Sequence, residues 1–304
     1  MPPIPAPRKS GFTNTTPVPL FWARYGPVDA PKLLVLHGGP GAHHDYLLPQ
    51  MLDLADEYEL VFYDQRGGGK SRTDDREPIT WQTHVADLDL VIDELQLEPL
   101  SLVGYSWGGL LTMLYTIENA AGRARHRPHR IVLIDPAPVN RGFRSQFEAE
   151  FSRRQALPEV AAARAALASS GLRDSDPDAY RQRTFELSVA GYFAKPTAAQ
   201  GLTPFRVTGR VQQSVWESLG DFDLLAPGML DSVDVPTLIV HGADDPIPIA
   251  SSEAAARAMA ALLIPIEGSG HVPYVEQPSR LFPPIREFLS VTAGEGDNAG
   301  TSRA

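Results

Sequence analysis

The 304-residue chain has no cysteine, which excludes disulfides, thiolate metal sites and a cysteine nucleophile. It also lacks a surplus of positive charge. Its 27 lysines and arginines stand against 37 aspartates and glutamates, a formal net charge of −10. Nucleic acid and anionic membrane both need a basic face, so neither is expected as a partner. No apolar run approaches the ~20 residues of a membrane span. The opening "MPPIPAPRKS" has no apolar core of a secretory signal. These absences lead us to expect a soluble, cytoplasmic protein whose partner is a small molecule.

What is present is apolar text of two kinds. Short continuous runs at 32–36 ("KLLVL"), 60–63 ("LVFY"), 100–103 ("LSLV"), 131–134 ("IVLI"), 237–240 ("TLIV") and 262–266 ("LLIPI") read as strands buried on both faces. Longer amphipathic stretches lie between them. At 81–97, Val85, Leu88, Val91, Ile92 and Leu95 recur at helical spacing. Residues 110–117, 251–262 and 279–289 also read as helices, the last despite Pro283 and Pro284. The alternation predicts an α/β fold with a doubly wound, mostly parallel sheet. Residues 137–228 contain no strand-like run and predict a helical cap inserted between core segments 1–136 and 229–292. The Pro-rich first dozen residues are expected to form an extended arm, and the small, polar residues 293–304 a disordered tail.

Chemistry concentrates at the joints. Gly104-Tyr105-Ser106-Trp107-Gly108 fits G-x-S-x-G between a strand and a helix, a sharp turn that raises the serine hydroxyl above the sheet. A serine hydroxyl needs a base to attack, and the base needs an orienting acid. Downstream, "TLIVHGADDP" sets Asp244 and Asp245 in the loop after one strand, and "PIEGSGH" sets His271 after the next. All three groups reach the carboxyl edge of the sheet in the order serine, acid, histidine. Asp245 is preferred to Asp244 because Gly-x-x-Asp turns it toward the histidine, while Asp244 suits an Asx-type turn. An oxyanion hole is expected from the amides of Trp107 and of Gly39, the latter in the strand-ending loop His37-Gly38-Gly39-Pro40-Gly41. The chemistry calls for no cofactor and no metal.

The segments "HGGPG", "DQRGGGKS", "GYSWGG", "HGADDP" and "GSGH", in this order, resemble the α/β-hydrolase superfamily and, more narrowly, its proline iminopeptidase-like branch. The resemblance covers about residues 15–136 and 229–290 and leaves the cap unmatched. It implies Ser106 as nucleophile, His271 as base and Asp245 as its partner, with Gly39 and Trp107 supplying amides. It also implies that Asp64, Arg66 and Gly67 brace the loops around the site.

The cap departs from the branch, whose members hold a free amino group with acidic cap side chains. Residues 137–223 carry ten acidic and eleven basic residues, no acidic surplus. Glu186 and Glu217 are the candidates for that role, against a competing reading as solvated helix-surface pairs. His37, Tyr105 and Trp216 are the other candidate substrate contacts. The sequence supports a serine hydrolase acting on an ester, amide or short peptide. A carboxylesterase or lactonase without aminopeptidase activity, and a non-catalytic ligand-binding protein on the same fold, are the alternatives.

Overall fold

The computed structural model describes residues 4–290 apart from 75 and 77. Its strands are β1 (Lys9–Phe12), β2 (Phe21–Tyr25), β3 (Lys32–Leu36), β4 (Glu59–Tyr63), β5 (Ser101–Tyr105), β6 (Arg130–Ile134), β7 (Thr237–Gly242) and β8 (Leu262–Ile266). They form one sheet in the order β1-β2-β4-β3-β5-β6-β7-β8. β3 to β8 run parallel, while β1 and β2 are antiparallel additions at one edge. Helices α1 (Trp81–Glu94) and α2 (Trp107–Ala120) precede β6. Between β6 and β7 come α3 (Arg141–Gln155), α4 (Pro158–Ser169), α5 (Leu172–Ser175), α6 (Pro177–Val189) and α7 (Gly209–Leu219). The chain continues through α8 (Ile249–Met259), α9 (Pro273–Glu276) and α10 (Pro278–Ser290).

Alternation along the strands splits the core in two, because successive side chains leave a strand on opposite faces. Leu34, Leu36, Leu102, Ile131 and Ile239 pack with α1, α2 and α8 on one face. Leu33, Val35, Val103, Val132 and Val240 pack on the other, with Leu281, Phe282 and Ile285 of α10. Those three anchors hold α10 helical across Pro283 and Pro284, each of which removes a backbone donor. Among the described residues no helix is long and apolar enough to cross a membrane.

The edges of the sheet differ from expectation. The extended N-terminal segment joins the sheet, where its Lys9–Phe12 pairs with β2. β2 itself was hidden by Arg24, whose charge breaks an apolar run yet is answered by Glu59 of β4. β8 is not buried on both faces. It is the last strand of the sheet, Leu262 is 56% exposed, and Pro265 sits there without an N–H to offer, as edge strands tolerate. The inserted segment is helical, with turns between its helices, and its two feet are clamped by an isolated bridge between Asn140 and Asp223. The expected tail at 293–304 lies outside the described residues.

Candidate active site

β5 ends at Tyr105 and α2 begins at Trp107, so Ser106 alone makes the turn, at φ 54° and ψ −118°. A non-glycine residue in that region costs about 1–3 kcal/mol unless its surroundings over-determine it. Here they do. Ser106 N–H donates to Ile134 O (3.0 Å), and Ser106 O accepts from the amides of Gly109 and Ala137 (2.9 Å each). Close packing fixes the glycine after Trp107 as well: a Cβ on Gly108 would lie 2.1 Å from Leu36 O.

The loops after β7 and β8 bring the other two groups to this turn. Ser106 Oγ–H donates to His271 Nε2 at 2.9 Å, and His271 Nδ1–H donates to Asp245 Oδ2 at 2.7 Å. Asp245 Oδ1 accepts from Ile247 N–H at 2.7 Å. Asp244 next to it is exposed and makes only backbone bonds, to Ser269 and Arg154. Burial lowers the His271 imidazole to about 4, so the ring is neutral and free to accept a proton near neutrality. Burial pushes the Asp245 carboxyl up, and the bonds it accepts pull the other way.

The histidine is held on every side. Its ring lies between those of Tyr192 (5.1 Å, stacked) and Tyr105 (5.3 Å). Its backbone N–H donates to Tyr192 O at 2.7 Å, and Tyr105 Oη–H donates to His271 O at 2.9 Å. Glu276 accepts from Gly270 N–H (2.7 Å) and Ala194 N–H (2.9 Å), which ties the histidine loop to the inserted segment.

Two amides face the serine turn. Trp107 N–H opens α2 and has no intrahelical acceptor. Gly39, at φ +54°, turns the loop after β3 beside it. Gln65 clamps the two segments together. Its Nε2 donates to His37 O (2.8 Å), its backbone N–H to His37 Nε2 (3.0 Å), and its Oε1 accepts from Trp107 Nε1 (2.7 Å). Asp64 accepts from the His44 ring and from the amides of His44 and Lys70, and Arg66 forks onto Asp87 at 2.6 and 2.8 Å. These buried pairs brace the loop rather than face the serine.

Ser106, Trp107, Gly39 and His271 open into a cavity of about 750 Å³ whose far wall comes from α3 and α7. Trp216 and Glu217 line it, together with Arg144, Phe147, Glu148 and Tyr192. Arg144 lies over the Trp216 ring at 3.9 Å and reaches Glu148 at 2.8 Å, while Gln213 donates to Glu217 at 2.7 Å. Three proposed substrate contacts are not in this lining. His37 is fully buried, its Nδ1–H donating to Gly38 O and its Nε2 taken by Gln65, because it ends a central strand. Tyr105 is spent on His271. Glu186 is bonded to Gln182 and Arg183 and faces a second cavity, between α4 and α6.

Sequence reasoning passed over Asp135, Gln65, Glu276 and the role of Tyr192. Asp135 carried a usable signal, an acid directly after a strand at the edge that holds the other groups. Gln65 and Glu276 carried none, since each works through groups brought near only by folding.

A family model described as "Alpha/beta hydrolase family" matches residues 33–283. The proline iminopeptidase of Levilactobacillus brevis is 29% identical over 240 residues, covering 70% of this chain and 72% of that one. The enzyme of the same name from Lactobacillus helveticus is 40% identical over 92 residues, 29% of this chain, and the match spans only 31% of its length. The crystal structure of the proline iminopeptidase from Mycobacterium smegmatis superposes with a TM-score of 0.67 at 21% identity, covering 92% of this chain and 97% of that one. The chain belongs to the alpha/beta hydrolase family and resembles its proline iminopeptidases.

Proposed function

We propose that the protein is a cofactor-independent serine hydrolase that cleaves an ester or amide through an acyl-enzyme. The observation that carries this reading is the unbroken chain Ser106 Oγ, His271, Asp245, at 2.9 and 2.7 Å, opening into a cavity beside two unpaired amides. Ser106 Oγ attacks the substrate carbonyl carbon while His271 Nε2 takes its proton. The amides of Gly39 and Trp107 receive the oxyanion, an interaction worth about 10²–10³ in rate per donor. His271 returns the proton to the departing alcohol or amine, and water releases the acyl group by the same route.

The substrate is a small ester, amide or short peptide with an apolar acyl portion, because Phe147, Tyr192, Trp216 and Phe222 line the cavity. The relatives named proline iminopeptidases favour an amide with a free amine. Against that, Glu148 is engaged by Arg144, which leaves Glu217 as the carboxylate for an amine. A carboxylesterase or lactonase therefore remains the second reading. The net charge of −10 argues against nucleic acid or an anionic membrane as a partner.

The test is fluorophosphonate labelling with Ser106→Ala as control, followed by prolyl-anilides and short p-nitrophenyl esters on one plate. Labelling that disappears in Ser106→Ala, with turnover reduced more than about 10⁴-fold, supports the hydrolase. Unlabelled wild-type protein, or undiminished turnover in the variant, overturns it. Faster anilide turnover selects the aminopeptidase, and the reverse order selects the esterase.

A further inference from the structure

The catalytic cycle uses one acid, yet a second carboxyl is buried behind it. Asp135 directly follows β6, is fully buried, and is held at φ 41°, a region that aspartate enters only when its surroundings insist. Its backbone N–H donates to Val240 O (2.9 Å) and its Oδ1 accepts from Gly242 N–H (2.7 Å), so it staples β6 to β7 just before the loop that carries Asp245. Oδ2 finds no N–H or O–H donor. Beside it lies the Asp245 carboxyl: one oxygen of Asp135, one of Asp245 and a ring nitrogen of His241 all lie within 4.8 Å of one another, and all three residues are buried. Two carboxyls buried this close disfavour both being ionised, so one of them is held protonated.

The side chains packed closest to the pair among the described residues are neutral. His241 of β7 approaches both carboxyls, at 3.9 Å from Asp135 and 3.8 Å from Asp245. Its Nε2–H donates to Ile247 O and its Nδ1 accepts from Ser252 Oγ of α8, so the ring is neutral. Tyr105 of β5 and Tyr274 of α9 face Asp135 as neutral phenols, both pushed up by burial. His271 acts on the Asp135 carboxyl too, pulling it down. Arg154 of α3 and Glu276 of α9 act on Asp245 with opposite signs. Burial, with Asp245 beside it, drives the Asp135 carboxyl well above the ordinary carboxylate range.

We propose that Asp135 is a positioning residue acting through Asp245: the two carboxyls hold one proton and one negative charge between them, and Asp135, as the acid, donates its O–H to Asp245 and keeps it the anion His271 needs. The proposal rests on the hydrolase reading above. It has a consequence that a purely structural Asp135 lacks. In Asp245→Asn the negative charge beside His271 is lost. Asp135, once it ionises, supplies the missing charge from one position further back.

The test compares wild type, D135N, D245N and D135N/D245N in turnover of p-nitrophenyl acetate from about pH 6 to about pH 10. In D135N an amide replaces the acid as donor to Asp245, and kcat falls by less than about tenfold. D245N falls by about 10²-fold near pH 7 and recovers as pH rises, because deprotonating Asp135 restores the charge. The double variant falls by about 10⁴-fold and does not recover, the full cost of an acid lost from such a triad. D245N and the double variant behaving alike at every pH overturns the proposal, as does a D135N defect as deep as that of D245N. Infrared spectra of wild type supply a readout independent of whether D245N folds. The C=O stretch of a protonated carboxyl near neutral pH, lost in D135N, supports the shared proton, and its absence from wild type overturns it. Failure of wild type to take a fluorophosphonate label defeats the hydrolase reading instead, and the infrared band still decides the shared proton.

Discussion

On the sheet side of the cavity, Ser106, Asp245 and His271 stand at the ends of β5, β7 and β8 with Tyr105 and Gln65 packed around them, and Tyr192 reaches the histidine from the inserted segment. On the cap side, Arg144, Glu148, Gln213 and Glu217 stand on the half-exposed faces of α3 and α7 and are held by one another. Exposed pairs of that kind contribute about 0–1 kcal/mol each, so the wall can be rewritten at little cost to the fold. A change on the sheet side removes a buried partner and disturbs everything bonded to it. On the proposed hydrolase reading the two walls divide the labour accordingly: the sheet edge sets which bond chemistry is available, and the inserted helices set which molecule receives it.

The sharpest way to break this division is to cut one member out of the sheet side. His271→Ala removes the base and the only link between Ser106 and Asp245. Turnover of any ester or amide substrate is expected to fall at least about 10³–10⁴-fold, with KM little changed because the cap wall is intact. Steady-state kinetics on one neutral and one amine-bearing substrate check this. A loss confined to one of them would mean that His271 reads the substrate rather than performing the chemistry.

A smaller effect concerns the protons of the sheet side. Burial lowers His37, His84, His241 and His271 from the ordinary 6.5 to about 4. The unfolded chain takes up protons on these rings below pH 6.5 while the folded chain does not until near pH 4. Their contribution to stability is therefore present above the unfolded value and is lost as pH falls through that window. Denaturant titrations at about pH 7 and about pH 5 should show a lower unfolding midpoint at the acid value, while the activity of the protein still folded persists because the His271 base form survives. Equal midpoints would mean that the buried rings are not kept neutral.

The same contrast explains what the sequence disclosed. Continuous apolar runs located the six parallel strands, and the glycine-flanked Ser106 with Asp245 and His271 could be assigned because strand ends deliver them to one edge. β2 was illegible because Arg24 is answered by Glu59 from another strand, and no local pattern encodes that. The cap wall was the least legible part. Glu186 and Glu217 look alike in sequence, and only the packing of α6 against α4 turns one of them away from the cavity.

That pair gives the smallest and most discriminating test. Glu217 lines the cavity with Ser106, whereas Glu186 is tied to Arg183 at 2.8 Å and faces another hollow. Glu217→Gln removes the carboxylate available to a substrate amine, so the preference for prolyl-anilide over a neutral ester should fall by about fivefold, the upper scale of one exposed charge contact. Glu186→Gln should leave that preference within about twofold and cost no more than about 1 kcal/mol of stability through the weakened Arg183 pair. The two kcat/KM ratios, measured side by side, decide between them. If Glu186→Gln moved the preference as far as Glu217→Gln, the cap would have to present a different face to the substrate. If neither moved it, amine recognition would play no part in this cavity and the esterase reading would stand alone.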